Sequence, residues 1–270
     1  MSWTQWTSVL MLSLMWQMKQ IQDLALKKIP TRIHNSDEWT AALDISTQLR
    51  LQGLREMAIR ELSGNLSSLK QVEFAVKYSI QPWLIEGYTA FVARAQGISE
   101  EDEEQLGPSR TANLWRVRHR QLDRTQLSHN ITSDIQTTFQ SEFTDILAFD
   151  NSPISYLQPD LCTVTDPDAI RRDKAYYFID TIFLVKSFKS LPMYLVLILL
   201  QVEDTLFKLP RCLFEESSEV FRDMFLLPSP EDVSCDGSSD EQPLFLEGVR
   251  KAHFRQLLKA MKFPACRSGT

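Results

Sequence analysis

Cysteine and glycine are scarce in this chain of 270 residues, which has four of the former and eight of the latter. Because no two cysteines form a CxxC pair, a disulfide framework and a zinc module are both disfavoured. Glycine and proline together are also too few for a collagen-like or a wholly disordered chain. The composition therefore predicts a globular protein of one large or two small domains.

Long hydrophobic runs are missing as well. Residues 8–16 are apolar, but no basic segment precedes them and no small-residue cleavage site follows, so we do not expect a signal peptide. A second run, residues 191–200, has about half of the ~20 residues that a membrane-spanning helix needs. We expect both runs to be buried, no membrane partner, and an intracellular protein of the cytoplasm or nucleus.

A surplus of positive charge is also lacking, since 29 Lys and Arg residues face 35 Asp and Glu residues for a net charge of −6. This balance disfavours duplex DNA as a partner. Basic residues are nevertheless concentrated after the acidic segment 100–104. They lie in a helix predicted over 111–122 and just beyond its end. We expect these side chains to pair with the acidic segment or to face solvent, and nucleic acid is an unlikely partner. The alternative is a nucleic-acid-associated transcriptional regulator that uses this helix, through Arg116, Arg118, His119, Arg120 and Arg124.

Catalytic motifs are absent from the sequence. There is no GxGxxG, Walker A, HExxH, GxSxG or EF-hand pattern, and the four histidines are scattered without neighbouring ligands. We therefore predict no catalytic, cofactor-binding or metal-binding residues, no cofactor and no enzymatic activity.

Three regions differ in composition. Residues 1–126 are dense in helix formers, and residues 175–264 mix strand patterns with helical ones. Between them, residues 127–174 are rich in Ser, Thr, Asp and Pro, which predicts a flexible connector with one short amphipathic helix over 137–149.

An internal repeat with an offset of 33 residues occupies the first region. Residues 6–29 match residues 39–62, and the helical period of both copies breaks near Met18 and Leu51. Each copy therefore predicts two short antiparallel helices, with Gly53 in the turn of the second copy. Such a hairpin cannot bury its apolar stripe alone, so we expect the two copies to form a pair.

The third region reads as strand, strand, helix, loop, strand and helix. The strand patterns cover 176–185, 203–209 and 243–247, and the helical ones cover 211–226 and 251–262. Residues 186–201 lie between the first two strands. By composition, the apolar residues 193–200 would form a third strand or a buried helix. We instead interpret 186–201 as an insertion of translated non-coding sequence, which would leave an exposed apolar run between paired strands.

Particular residues in this region carry a family resemblance. The segments 205–211, 218–225 and 243–249 resemble the front half of BTB/POZ domains from mushroom-forming fungi, and 218–225 fits the pattern S-x-V-F-x-x-M-F. One departure is Pro210, where many members carry His. The hairpins 6–29 and 39–62 resemble the helices that follow this front half, so the order of the pieces is transposed.

The resemblance implies an α+β fold dominated by helices, with an N-terminal αα-hairpin bundle over 1–126 and a truncated BTB/POZ-like unit over 175–264. It also implies a non-catalytic protein–protein interaction module, either for dimerisation or as a ubiquitin-ligase adaptor. The implied partners are a second copy of the chain or a cullin scaffold. The implied interaction residues are the pocket pair Asp180 and Arg211, the signature residues Phe221, Met224 and Phe225, and the adaptor segment with Phe245, Glu247 and Phe254.

Two arrangements can explain the transposed order. The first, which we favour from the sequence, is a head-to-tail join of the tail of one such protein and the truncated head of another. The second is a closure in which the N-terminal hairpin docks on the C-terminal half and completes one domain. The long connector makes the entropic cost of closure small.

Overall fold

The computed structural model describes residues 1–122, 131–150, 170–178, 196–226, 237, 239–240 and 242–262, with the backbone alone at 149 and 150. Among these residues helices dominate, accompanied by a small mixed sheet of four strands, so the predicted α+β class is confirmed. The chain divides into two compact units. Unit 1 contains Met1–Ile33 and Gln158–Thr270, and unit 2 contains His34–Leu157.

Two helical hairpins begin the chain, and both follow the predicted repeat. Helices α1 (Trp3–Met15) and α2 (Lys19–Lys28) lie in unit 1, while α3 (Ser36–Gln48) and α4 (Gln52–Ser63) lie in unit 2. The connecting residues Gln17 and Arg50 both have φ of 52°. Gly53 lies inside α4, so its predicted role in the turn is wrong.

The hairpins, which the repeat predicted to form a pair, belong to different compact units. In unit 1, α1 packs against α2 and against a C-terminal helix, α13 (Lys251–Ala260). In unit 2, α3 packs against α4 and α5 (Ser68–Tyr78). Each apolar stripe is therefore buried by neighbours within its own unit.

Unit 2 continues with helices that surround one apolar core. These are α6 (Gln81–Ala93), α7 (Glu100–Leu106), α8 (Pro108–Leu122), α9 (Ile131–Thr138) and α10 (Gln140–Asp150). Helices α5 and α6 approach closely at Gly87, where a Cβ atom would lie 2.6 Å from Val72 Cγ2. The largest core side chains include Tyr78, Trp83, Tyr88, Phe91, Phe139 and Phe143.

Residues 131–150 differ from the predicted flexible connector. They form α9 and α10, and the side chains of Ile135, of Phe139 between the two helices, and of Phe143 enter the core of unit 2. The ring of Tyr88 stacks on Phe139 with centroids 4.1 Å apart. The helix predicted over 137–149 corresponds to α10, and the apolar spacing of four residues continues the helical pattern back into α9. The rest of the connector up to residue 169 lies outside the described residues.

The sheet in unit 1 has the order β1-β3-β2-β4. Strands β2 (Leu197–Val202) and β3 (Thr205–Pro210) form an antiparallel hairpin, while β1 (Arg171–Tyr177) runs parallel to β3. Helices α11 (Arg211–Ser217) and α12 (Glu219–Leu226) follow β3. The short strand β4 (Leu244–Phe245) then pairs parallel with β2 and precedes α13.

The strand assignments need one correction. The partner of β3 in the hairpin is β2, and β1 ends at Tyr177 on the other side of β3. Residues 179–185 lie outside the described residues. The exposure expected from the insertion hypothesis is wrong for the end of this segment, because residues 197–201 belong to β2 and Ile198, Leu199 and Leu200 are buried, as in the strand alternative. Residues 186–195 lie outside the described residues.

The N-terminal hairpin closes on the C-terminal half of unit 1. The Trp16 ring lies 5.2 Å from Phe221 and 6.0 Å from Phe254, measured between centroids. Ser218 Oγ donates a hydrogen bond of 2.5 Å to the carbonyl oxygen of Trp16. The structure thus has the closed arrangement in place of the favoured join of separate pieces, and unit 1 combines the first 33 residues with residues after 157.

Candidate interaction surface

The residues implied by the resemblance fall into a buried group and an accessible one. Phe221 and Phe254 lie in the interior, where they contact Phe214 and Trp16. Their side chains hold the helices of unit 1 together and are not presented to a partner. Asp180 lies outside the described residues. Met224 and Phe225 are half-buried on α12, and Glu247 is exposed after β4.

Arg211 is held between α11 and α12. Its Nε donates to Glu215 Oε1 over 2.7 Å, and its Nη2 donates to the carbonyl oxygen of Phe225 over 3.1 Å. The guanidinium also lies 4.4 Å from the centroid of the Phe225 ring. These contacts give Arg211 a role in joining the two helices.

Phe245 is the accessible apolar side chain of the strand β4, with 47% of its surface exposed. It pairs with Gln201 on β2, and paired residues on neighbouring strands share a face of the sheet. The opposite face carries Phe207, which packs on Phe254 of α13. We call the face with Phe245 and Gln201 the outer face.

One row of the outer face crosses all four strands. Arg172 on β1 pairs with Leu206 on β3, Leu206 pairs with Gln201, and Gln201 pairs with Phe245. Three strand spacings separate the two ends of this row, which is roughly 14 Å. In the next row, Tyr177 pairs with Lys208, and the Tyr177 ring forms a buried cluster with Leu199 and Leu206.

A carboxylate is bound beside this cluster. Both oxygens of Asp240 accept hydrogen bonds, Oδ1 from the Tyr177 hydroxyl at 2.5 Å and Oδ2 from Arg172 Nε at 3.0 Å and from Nη2. The Lys208 ammonium lies 5.8 Å from the centroid of the Tyr177 ring. We call Arg172, Tyr177 and Lys208 the cradle.

The cradle depends on an irregularity in β1. In a regular strand, residues five positions apart point to opposite faces, so Arg172 and Tyr177 would be separated. Here the five-residue step from Arg172 to Tyr177 faces a step of two residues on β3, from Leu206 to Lys208. This bulge brings both side chains to Asp240.

Asp173 fixes the bulge. Its Oδ1 accepts hydrogen bonds from the backbone N–H groups of Ala175 and Tyr176 at 2.8 and 2.9 Å. Its Oδ2 accepts one from Arg255 Nε of α13 at 2.7 Å, and only 1% of the Asp173 side chain is exposed. A buried carboxylate on the helix side therefore shapes the cradle on the outer face.

No sequence pattern indicates this cluster. Arg172 and Asp240 are 68 positions apart, and the composition of the polar segments that contain them is typical of a connector and a loop. The strand pattern around Tyr177 was the one available signal.

The cradle shifts the pKa values of its acidic groups. Burial, with a further contribution from the hydrogen bond to Asp240, raises the pKa of Tyr177 to about 12. The hydrogen bond from Tyr177, followed by that from Arg172, lowers the pKa of Asp240. The arrangement therefore favours a neutral phenol beside an ionised carboxylate.

These shifts predict a pH dependence. The lowered pKa of Asp240 stabilises the fold above the ordinary range of aspartate, and this contribution is lost as the pH falls through the lowered value. The raised pKa of Tyr177 stabilises the fold below about 10, and this contribution is lost as the pH rises towards about 12. In absorbance titrations at alkaline pH, Tyr177→Phe should remove one late-ionising tyrosine, and Asp240→Asn should make that tyrosine ionise earlier. An unchanged titration in both variants would contradict the described hydrogen bond.

The basic helix α8 is partly occupied by internal contacts. Arg118 donates to the carbonyl oxygens of Val92, Arg94 and Ala95 near the end of α6. The acidic helix α7 contacts α8 through Trp115 Nε1, which donates to Glu103 Oε1 over 3.0 Å. The exposed basic residues of α8 are Arg116, His119 and Arg120, and Arg124 lies outside the described residues.

The chain matches no protein-family model, no curated protein and no solved structure. Within the described residues, no three His, Cys, Asp or Glu side chains come together as a group that could hold a metal ion. None of the helices in that part of the chain is both long and apolar enough to cross a membrane.

Proposed function

We propose that unit 1 is a non-catalytic protein-interaction module of the BTB/POZ type. The order of its elements from β2 to α13 is a strand hairpin, two helices, a parallel strand and a helix. The signature segment supports this reading, because Ser218 Oγ accepts a hydrogen bond from the Phe221 N–H at the start of α12, and Phe221 is buried. Both residues serve the fold of the hairpin and its helices.

Phe245 is the observation that carries the proposed interaction. It is a large aromatic side chain, nearly half exposed, on an edge strand of only two residues. Edge strands and exposed aromatic side chains are frequent contact points for a second polypeptide. Glu247 is exposed two residues later and provides an adjacent charge. The proposed contact surface is therefore the edge formed by Phe245 and Glu247.

Binding experiments with the full chain test this proposal. Sedimentation velocity measures self-association. Calorimetric titration measures binding to a purified cullin N-terminal domain, which tests the adaptor hypothesis. We expect association in one of the two experiments, and Phe245→Ala should weaken it by about tenfold or more. Met15→Ala, which truncates an exposed apolar side chain on α1, should leave it unchanged.

Two results would contradict the proposal. One is the absence of both associations at about 100 µM, where even weak specific interfaces are populated. The other is equal binding by wild type and Phe245→Ala.

A further inference from the structure

The cradle has the geometry of a receptor for a carboxylate. Arg172 and Tyr177 together satisfy both oxygens of Asp240, and Lys208 adds a second positive charge nearby. Paired donors of this kind recognise carboxylates with directional specificity. The site is also accessible, since 61% of the Arg172 side chain and 26% of that of Asp240 are exposed. A ligand from solution can therefore approach Arg172, whereas Tyr177 is 9% exposed and becomes available when the Asp240 carboxylate leaves.

The cradle and its occupant belong to different parts of unit 1. The cradle residues lie on paired strands, in a bulge that Asp173 and Arg255 fix from the other side. Asp240 instead lies in a turn anchored at its base. There, the Gly237 N–H donates to the Gln242 carbonyl oxygen over 2.7 Å, and the Gly237 carbonyl oxygen accepts from the Leu199 N–H over 2.9 Å.

Glycine is required at position 237, at the base of this turn. Gly237 has φ of 84°, and a Cβ atom there would lie 2.8 Å from Ile198 Cγ1. The residues on either side of Asp240 are held as well, because the Gln242 N–H donates to the Ser239 carbonyl oxygen over 3.1 Å. With the backbone of the turn fixed, rotation of the Asp240 side chain is enough to move its carboxylate out of the cradle.

We propose that the cradle binds an acidic residue of a partner polypeptide, and that Asp240 occupies it as an internal competitor. This inference rests on the proposed function, because it names the chemistry of the partner. The row from Arg172 to Phe245 adds a geometric requirement. A matching peptide presents a carboxylate and an apolar side chain roughly 14 Å apart.

An internal competitor weakens external binding by a predictable factor. A tethered side chain acts at an effective concentration in the millimolar range. If the cradle binds a free carboxylate and the Asp240 carboxylate with the same intrinsic Kd of about 0.1 mM, an effective concentration of about 1 mM lowers the apparent affinity for the external peptide by about tenfold. Removal of the Asp240 charge should restore the intrinsic affinity.

A peptide copied from the turn provides the probe. Its sequence is that of residues 236–242, Asp-Gly-Ser-Ser-Asp-Glu-Gln, and the control peptide carries Asp240→Asn. Fluorescence anisotropy at low salt measures the binding of each labelled peptide to the full-length protein. We expect Asp240→Asn protein to bind the acidic probe about tenfold more tightly than wild type, and the probe more tightly than the control peptide. Adding Arg172→Gln to that variant should abolish the gain, and added salt should weaken it.

Equal binding of the probe by wild type and a folded Asp240→Asn protein would overturn the inference. A preserved gain in the double variant would do the same. If the Asp240→Asn protein does not fold, hydrogen exchange on wild type decides the question. Millimolar acidic probe should then accelerate exchange in the peptide that contains residue 240, whereas unchanged exchange counts against displacement. Failure of this inference can be told apart from failure of the proposed function. The proposed function is tested by the effect of Phe245→Ala on partner binding, which does not involve the probe.

Discussion

Trp16→Ala is expected to lower the free energy of unfolding of unit 1 by about 3–5 kcal/mol, the range for removal of a large buried aromatic side chain. Trp16 is 7% exposed and contacts Phe221 and Phe254 edge-on. Its carbonyl oxygen also accepts the hydrogen bond from Ser218. The substitution therefore opens a cavity where the N-terminal hairpin meets the C-terminal half. Urea denaturation followed by circular dichroism measures the loss.

The matched control is Met15→Ala, one position earlier, at the last residue of α1. Met15 is 42% exposed, so its truncation should change the free energy of unfolding by less than about 0.5 kcal/mol. If both variants show the same small loss, Trp16 is not part of a packed core and the closed arrangement is wrong.

Asp173→Ala is the second substitution with a large expected effect. It removes the acceptor of two backbone N–H groups and of Arg255, at a site where the carboxylate is almost fully buried. Because buried donors without partners are costly, we expect a loss of about 3 kcal/mol. The variant should also lose the acidic-probe binding, since the bulge that forms the cradle is no longer fixed. Thermal and urea unfolding measure the first effect, and anisotropy measures the second.

Asp204→Ala provides the comparison for an exposed ion pair. Asp204 accepts from Lys251 Nζ over 2.6 Å, and both side chains are partly exposed. Solvent screening limits such pairs to less than about 1 kcal/mol. An Asp173→Ala protein no less stable than Asp204→Ala would show that the buried carboxylate does not organise β1.

Local sequence patterns predicted the elements that depend on neighbouring residues. The 33-residue repeat predicted both hairpins, because their apolar spacing and phase break are local features. The strand pattern near residue 205 and the helical pattern after Arg211 also correspond to β3, α11 and α12. These signals need no knowledge of the tertiary structure.

Local sequence patterns do not predict contacts between residues that are far apart in the chain. The hydrogen bond between Ser218 and Trp16 joins residues 202 positions apart, and the sequence alone favoured separate pieces. The cradle depends on a bulge whose cause, the buried Asp173, reads as an ordinary polar residue in a polar segment. Likewise, Phe221 and Phe254 resemble interaction residues in sequence and serve as core residues in the structure.

Zero-length cross-linking of the full chain with a carbodiimide tests the closure of unit 1 most directly. Lys19 Nζ on α2 lies 3.6 Å from Glu219 Oε1 on α12, and mass spectrometry of the monomer should identify an amide bond between them. The Lys251–Asp204 pair at 2.6 Å serves as the internal positive control. Recovery of both cross-links is the predicted result. Recovery of the Lys251–Asp204 bond alone, with no cross-link between the first 33 residues and residues 196–262, would contradict the closed unit.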